Sequence, residues 1–185
     1  GCVFFCGCSL KCAFCQNYEL SRNTRGISVS VKRLAEIFKE LEEAGADNIN
    51  LVTPTHYADA IAEAFAIYRP KIPVVYNTHG YEKLETLKIV DTFADIYLPD
   101  LKFIDPFLSE RYTGKKDYAK FALAAVEFMA QKKTQFDAAG KMLSGCIVRH
   151  LILPCAAYDS VEIVDFVSRL PEGVYLSLMS QYTPF

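Results

Sequence analysis

The feature that most constrains the fold of this chain is a repeated alternation of short apolar runs with longer amphipathic segments. Such alternation is typical of consecutive βα units, in which helices connect parallel strands. The apolar runs predict six strands, over residues 3–6, 48–52, 74–77, 95–98, 147–153 and 174–179. The first predicted helix lies between Ser30 and Gly45, which suit its start and end. Further helices are predicted over residues 60–68, 83–90, 121–132 and 161–170.

Six such units account for the whole chain of 185 residues, which is the size of one ordinary domain. Connections between parallel strands are right-handed, so the units predict either a barrel or an open doubly wound sheet. The stretches TGKKDY and FDAAGKMLSG are interpreted as loops. Because the chain begins with Gly1 rather than Met, and both ends lie inside strand-like segments, we expect it to be a fragment.

Composition argues against two classes of partner. Although 51% of the residues are hydrophobic, no run of 18 apolar residues occurs, so we expect a cytoplasmic protein without a membrane partner. The formal net charge of -2 does not favour nucleic-acid binding. A local group of cations, Arg22, Arg25, Lys32 and Arg33, is interpreted as a solvated surface loop.

Seven cysteines in a chain without secretory features favour metal or redox chemistry over a disulfide framework. Cys8, Cys12 and Cys15 have the spacing C-x3-C-x2-C directly after the first strand. Structural zinc would need a fourth ligand, whereas three thiolates can hold three corners of a 4Fe-4S cube and leave one iron open. A thioredoxin-like role for Cys12 and Cys15 leaves Cys8 unexplained. The other cysteines are interpreted as small buried residues: Cys2, Cys6, Cys146 and Cys155.

Polar segments follow three of the predicted strands, at the ends where ligands bind in both candidate architectures. They are TPTH at 53–56, NTHG at 77–80 and PDLK at 99–102. Asp100 and Lys102 are two residues apart, so a strand continuing through them would place both side chains on one face.

Several histidines and tyrosines are assigned to the site or to the core by their positions. His56 and His79 follow strands two and three and are expected to face the site. His150 is expected to face the helices, because it alternates with Arg149 along the fifth strand. Wall or core roles are expected for Tyr57, Tyr76 and Tyr182.

The segment CSLKCAFC, residues 8–15, resembles the C-x3-C-x-aromatic-C motif of the radical SAM superfamily, with Phe14 at the aromatic position. The wider resemblance is to the pyruvate formate-lyase activating enzyme group, because NTHG, PDLK, RYTG at 111–114 and VRHLILP at 148–154 are similar to its motifs. The resemblance implies an α/β fold, an incomplete (β/α)6 TIM-like barrel, which agrees with the six units counted above. It spans nearly the whole chain and implies a single radical SAM domain over residues 1–185.

The resemblance also implies an activity. Cys8, Cys12 and Cys15 would hold a 4Fe-4S cluster whose open iron binds S-adenosylmethionine (SAM), and an external one-electron reductant of the flavodoxin or ferredoxin type would supply the electron. Reductive cleavage of SAM would give a 5'-deoxyadenosyl radical that abstracts a hydrogen, in the activating enzymes from a glycine of a partner glycyl-radical protein. The alternatives are a small-molecule or peptide side-chain substrate, and a non-catalytic metal-binding module that kept the fold.

Cofactor-binding roles carry over to the positions that match the family's motifs. Asp100 and Lys102 match an Asp-x-Lys pair near the methionine carboxylate of SAM, and Arg149 matches an arginine of strand five. Thr78 matches a threonine that helps aspartates to hold a monovalent cation, but Asn77 replaces one of those aspartates.

A second departure from the family lies at the end of strand two. Thr53, Pro54 and Thr55 stand where the family has Gly-Gly-Glu, which receives the ammonium group of SAM. We expect hydroxyl and carbonyl oxygens of these threonines to accept the same hydrogens without a formal charge. The ending Thr-Pro-Thr-His is interpreted as the mark of a branch of activating-enzyme homologues.

Overall fold

The computed structural model describes residues 1–22 and 26–181 and contains a mostly parallel sheet. Its strands are β1 (Cys2–Phe4), β2 (Ile49–Val52), β3 (Val74–Thr78), β4 (Ile96–Pro99), β5 (Gln135–Phe136), β6 (Met142–Leu151) and β7 (Tyr175–Met179). Six of them pair in parallel in the order β1-β2-β3-β4-β6-β7. These six correspond to the six predicted strands, so the predicted α/β class is confirmed.

Helices lie between most of the strands along the chain. They are α1 (Tyr18–Arg22), α2 (Val31–Glu43), α3 (Ala58–Ile67), α4 (Leu84–Val90), α5 (Pro106–Thr113), α6 (Tyr118–Met129) and α7 (Ala157–Ser168). As predicted, Ser30 caps α2, by accepting a hydrogen bond from the Arg33 N–H at 3.1 Å. The fully buried Phe38 of α2 stacks on Phe65 of α3, with ring centroids 4.4 Å apart. This aromatic packing places the hydrophobic core between the helices and the sheet.

The parallel sheet curves so that its first and last strands face one cavity. Phe4 of β1, Arg149 of β6 and Met179 of β7 all line that cavity. In the described part of the chain, β1 pairs with β2 and β7 pairs with β6, but β1 and β7 do not pair with each other. The fold is therefore a partial barrel that stays open between β1 and β7.

Three elements differ from the expectation. The stretch FDAAGKMLSG, interpreted as a loop, belongs to a β5–β6 hairpin in which Gln135 pairs with Ser144. Helices α1 and α5 are not predicted, because neither has an apolar face: α1 buries none of its residues, and two of the three buried residues of α5, Ser109 and Thr113, are polar. The sequence does contain start and stop residues for α5. Asp105 is its N-cap and accepts two backbone hydrogen bonds, and Gly114 ends the helix at a φ of 74°.

The burial of several side chains also corrects the sequence analysis. Cys146 is buried as expected, but Cys2 and Cys155 are exposed, so the expectation for these two is wrong. Cys2 faces the open cavity, and Cys155 lies in a turn with a φ of 62° after β6. Arg25 and Tyr182 lie outside the described residues. Within the described part, no helix has both the length and the apolar content needed to cross a membrane.

Candidate active site

A cavity of about 340 Å³ lies at the carboxyl ends of the parallel strands. Of the residues predicted to bind a metal or cofactor, all but Thr55 line this cavity. They are Cys8, Cys12, Phe14, Cys15, Thr53, Asn77, Thr78, Asp100, Lys102 and Arg149. The fold therefore brings together residues from the loop after β1 and from the ends of β2, β3, β4 and β6.

The cysteine loop, residues 8–15, has protein partners on two sides. The N–H of Lys11 donates to the Thr113 carbonyl at 3.0 Å, and the N–H of Ala13 donates to the Tyr112 carbonyl at 2.9 Å. These bonds attach the loop to the end of α5. On the other side, the Ser21 hydroxyl of α1 lies 3.4 Å from Cys15 Sγ, where a hydrogen bond to a cluster sulfur would influence its redox potential.

The three thiols surround the cavity and do not converge on one point. Within the described residues, no three His, Cys, Asp or Glu side chains are arranged to hold a single metal ion. A 4Fe-4S cube binds each thiolate on a different iron, so its cysteines are spread around it. Burial raises the pKa of Cys12 to about 11 and also raises the pKa of Cys8. Both thiols are therefore protonated at neutral pH, and metal binding must displace their protons.

An ion network of Asp100, Lys102 and Arg149 forms the charged wall of the cavity. Lys102 Nζ lies 2.7 Å from Asp100 Oδ2, and Arg149 Nη2 lies 2.7 Å from Asp100 Oδ1. Burial by itself would raise the pKa of Asp100, but the two cations overcome this effect and lower it. Burial opposes the charge of Lys102 as well, and Asp100 nevertheless raises the pKa of Lys102. The aspartate is therefore ionised and the lysine protonated at neutral pH.

The placement of Asp100 and Lys102 on one face was expected from a strand that continues through both residues, but strand β4 ends before them. β4 ends at Pro99, and Asp100 forms an isolated parallel bridge with Arg149. The two side chains still meet, since both line the cavity and Lys102 Nζ donates to Asp100 Oδ2. Lys102 Nζ also lies 5.9 Å from the centroid of the Phe14 ring, which joins the charged wall to the cysteine loop.

Arg149 also contacts the position where the family has an aspartate. Its Nη2 donates to Asn77 Oδ1 at 2.7 Å, while the same nitrogen approaches Asp100. The guanidinium thus lies between Asn77 and Asp100, the two side chains expected to border a monovalent cation. A fixed positive charge belonging to the protein occupies this region.

Unused polar atoms on the cavity wall fit a zwitterionic ligand. Asn50 Oδ1 and Arg149 Nε are buried and have no hydrogen-bond partner among the described residues. Both residues line the cavity. The amide oxygen can accept a hydrogen from an ammonium group, and the guanidinium Nε can donate to a carboxylate. Buried polar atoms are rarely left unpaired, so these atoms indicate a bound polar group.

The turn after β2 has an unusual backbone. Thr53 has a φ of 56°, which is disfavoured for a β-branched residue and is frequent at ligand-binding sites. Its N–H donates to the Asn77 carbonyl at 2.9 Å, so the turn is tied to β3. The Thr55 hydroxyl donates to Glu82 Oε1 at 2.6 Å instead of lining the cavity.

Glu82 is a buried carboxylate that the sequence analysis does not identify. Its Oε1 accepts hydrogen bonds from the hydroxyls of Thr55, Tyr76 and Thr78, while its buried Oε2 has no hydrogen-bond partner in the described part of the chain. Burial raises the pKa of Glu82 although the hydrogen bonds oppose this effect. Glu82 connects the ends of β2 and β3 immediately behind the cavity wall. In the sequence, Glu82 is a single acidic residue shortly after NTHG, and a single acidic residue does not indicate a buried site.

The three histidines have different environments. His79 is buried and lines the cavity, whereas His56 is exposed in a short 3-10 helix (Thr55–Tyr57) and does not line it. The expectation that both face the site therefore holds for His79 alone. His150 lies 2.8 Å from the Ser160 hydroxyl of α7, so it faces the helices as expected. Tyr76 is fully buried and Tyr57 is partly exposed.

A family model described as the radical SAM superfamily matches residues 2–136 of the chain. A curated relative, the uncharacterized protein MJ0674 of Methanocaldococcus jannaschii, is 29% identical over 192 residues. That match covers 98% of this chain and 53% of the relative. The chain therefore spans about half the length of the curated relative that it matches.

Solved structures with the same fold have low sequence identity to the chain. SuiB of Streptococcus suis has a TM-score of 0.67 at 18% identity, and the match covers 98% of this chain and 40% of the SuiB chain. A second structure of SuiB, bound to S-adenosylmethionine, has a TM-score of 0.66 at 17% identity, with coverage of 100% and 42%. HydG, a maturase of the FeFe-hydrogenase, has a TM-score of 0.62 at 13% identity, with coverage of 100% and 43%.

Because these solved structures are only 13–18% identical to the chain, their structural similarity shows a shared fold and nothing further. The family assignment rests on the family model, which matches well over half of the chain, including the whole cysteine loop. The motif, the partial barrel and this match agree: the chain belongs to the radical SAM superfamily.

Proposed function

We propose that the chain is the radical-generating domain of a SAM-dependent enzyme. The observation that supports this most is the shared cavity, where the three motif cysteines face the ion network of Asp100, Lys102 and Arg149. Three thiols and both signs of charge that line one cavity suit a cluster and a zwitterionic cofactor side by side. The superfamily implies the same two groups, a 4Fe-4S cluster and SAM.

Cys8, Cys12 and Cys15 would hold the cluster, which when bound supplies the electron for reductive cleavage of SAM to methionine and a 5'-deoxyadenosyl radical. The other residues that line the cavity would bind SAM and orient it. Lys102 and the Nε of Arg149, which has no partner among the described residues, can hold a carboxylate, and Asn50 Oδ1 can accept a hydrogen from an ammonium group.

A narrower proposal concerns the hydrogen donor. The similarity of NTHG, PDLK and RYTG to motifs of the activating-enzyme group supports a glycine of a partner protein as the donor. A small molecule or a peptide side chain is the alternative donor. Incubation with candidate substrates, followed by electron paramagnetic resonance for a stable glycyl radical, distinguishes the two cases.

The decisive experiment measures 5'-deoxyadenosine. The protein is reconstituted anaerobically with iron and sulfide, reduced with dithionite, and incubated with SAM before chromatography. We expect 5'-deoxyadenosine from the wild-type protein and none from Cys12→Ala, which removes one cluster ligand. Lys102→Met keeps the side-chain length without the charge, and we expect it to retain the cluster but bind SAM at least tenfold more weakly. A reducible cluster that binds SAM and yields no deoxyadenosine over hours would favour a non-catalytic module.

A further inference from the structure

Tyr118, the first residue of α6, is fully buried and has a hydroxyl with three backbone partners. The hydroxyl lies 2.7 Å from the Asp100 carbonyl and 2.9 Å from the His79 carbonyl, and its single hydrogen can serve either one. It also accepts a hydrogen bond from the Lys102 N–H at 3.1 Å. All three partners line the cavity, but Tyr118 does not. Tyr118 can therefore act on a ligand in the cavity only through the residues that it holds.

The backbone that follows β4 is held by three different elements. The Asp100 N–H donates to a carbonyl of β3 at 2.8 Å, and the Leu101 N–H donates to a carbonyl of β6 at 2.9 Å. The next N–H, that of Lys102, has the Tyr118 hydroxyl as its partner. The hydroxyl therefore fixes the backbone of Lys102, whose ammonium group lies 2.7 Å from Asp100 Oδ2.

The same hydroxyl also holds the turn that supports the cysteine loop. The carbonyl that it approaches in this turn belongs to His79, at the end of β3. The imidazole of His79 lies 3.1 Å from the hydroxyl of Ser9 in the cysteine loop. One side chain outside the cavity thus connects the charged wall with the support of the motif cysteines.

Tyr118 is itself fixed by its neighbours. Its ring stacks on Tyr81, with the ring centroids 6.1 Å apart and the ring planes at 14°. The Tyr81 hydroxyl donates to the carboxylate of Asp117, the residue before α6, at 3.0 Å. Burial raises the pKa of the Tyr118 hydroxyl well above its usual value, so the hydroxyl keeps its proton at neutral pH and remains a donor.

We propose that Tyr118 is a positioning residue of the SAM site, whose hydroxyl sets the place of Lys102 relative to the cysteine loop. This inference rests on the proposed function, in which Lys102 holds the carboxylate of SAM and the motif cysteines hold the cluster. A ligand that must reach both sides of the cavity is sensitive to small changes in their separation. Loss of the hydroxyl leaves the buried Lys102 N–H without its partner, and the backbone there must shift to regain one.

The experiment compares Tyr118→Phe with the matched control Tyr97→Phe. Both replacements remove one hydroxyl from a buried ring, because Tyr97 is 1% exposed and donates to Asp91 Oδ1 at 2.9 Å without lining the cavity. Calorimetry measures SAM binding to anaerobically reconstituted protein whose cluster is oxidised, and urea unfolding measures the stability of the cluster-free protein. We expect both variants to unfold at lower urea concentration. SAM binding should weaken about fivefold in Tyr118→Phe and less than about twofold in the control.

Combining each variant with Lys102→Met tests whether Tyr118 acts through Lys102. Without the lysine, Tyr118→Phe should weaken SAM binding by less than about twofold, and it should lower the urea midpoint less than it does in the wild type. Tyr97→Phe should lower the midpoint equally in both backgrounds, because independent sites are additive.

Two results would overturn the positioning role of Tyr118. One is a SAM affinity of Tyr118→Phe equal to that of the control, and the other is an undiminished effect of Tyr118→Phe in the Lys102→Met background. Either result would leave a hydrogen bond that only stabilises the fold. A wild-type protein that binds no SAM would instead overturn the proposed function, and the urea midpoints of the double variants would still decide whether Tyr118 places Lys102.

Discussion

The imidazole of His79, at the end of β3, lies 3.1 Å from the hydroxyl of Ser9 in the cysteine loop. Its Nδ1 accepts a hydrogen bond from the Tyr81 N–H at 3.1 Å, so the ring proton is assigned to Nε2, which donates to Ser9. Gly80, at a φ of 80°, permits this turn, because a Cβ there would lie 2.3 Å from the Asp100 carbonyl oxygen. A neutral histidine thus fixes the loop that carries the motif cysteines.

The buried His79 should make stability sensitive to acid. Burial lowers the pKa of His79 to about 3, against about 6.5 for an unfolded chain. Because the unfolded state binds the proton first, this contribution is complete above pH 6.5 and is lost as the pH falls towards 3, by about 1.4 kcal/mol per pH unit. Urea unfolding of the cluster-free protein between pH 7.5 and 5 should show a shallower pH slope for His79→Gln. Equal slopes in the two proteins would contradict this assignment.

The cysteines should divide into two groups when each is replaced by alanine. We expect reconstituted iron and acid-labile sulfide to be lost for Cys8, Cys12 and Cys15, because each would hold a separate iron of the proposed cluster. The replacements expected to retain the cluster are those of Cys2, Cys6, Cys146 and Cys155. Iron and sulfide analysis after anaerobic reconstitution makes the comparison. If the wild-type protein instead contains stoichiometric zinc and no sulfide, the three cysteines belong to a zinc site and the cluster assignment is wrong.

The position of Arg149 predicts that SAM binding does not depend on potassium. Its guanidinium already lies between Asn77 Oδ1 and Asp100, so a monovalent cation there would meet like charge. Replacing potassium chloride with choline chloride at constant ionic strength should change the calorimetric affinity for SAM less than twofold. Asn77→Asp, which restores a carboxylate, is the matched variant. A loss of affinity above tenfold in choline would show that the wild-type protein uses a bound cation.

The contact between Thr55 and Glu82 should stabilise the turn after β2. Thr55→Val keeps the shape of the side chain but leaves Glu82 with one hydrogen bond fewer, at a cost of about 1–3 kcal/mol in unfolding free energy. Thr55→Ser keeps the hydroxyl and should lose less. We expect the valine variant also to bind SAM more weakly, since the Thr53 turn lines the cavity. Calorimetry and urea unfolding measure the two effects. Valine and serine variants that behave alike would exclude a role for this hydrogen bond.

Much of the fold and part of the site could be predicted from local patterns. Apolar runs and helical spacing depend on neighbours a few residues apart, and they identify the six parallel strands. The spacing of Cys8, Cys12 and Cys15 is local in the same sense. The β5–β6 hairpin and the exposure of Cys2 were missed, because pairing and burial depend on which other segments lie beside a residue.

The sequence by itself determined the succession of βα units, the motif that places the chain in its superfamily, and the polar residues at the strand ends. The tertiary structure alone decided how those residues interact. Arg149 and Asn77 are 72 positions apart, His79 and Ser9 are 70 apart, and Thr55 and Glu82 are 27 apart. No local pattern encodes such contacts. They form because parallel strands bring their carboxyl ends to one edge of the sheet, and because its curvature then directs these ends towards a single cavity.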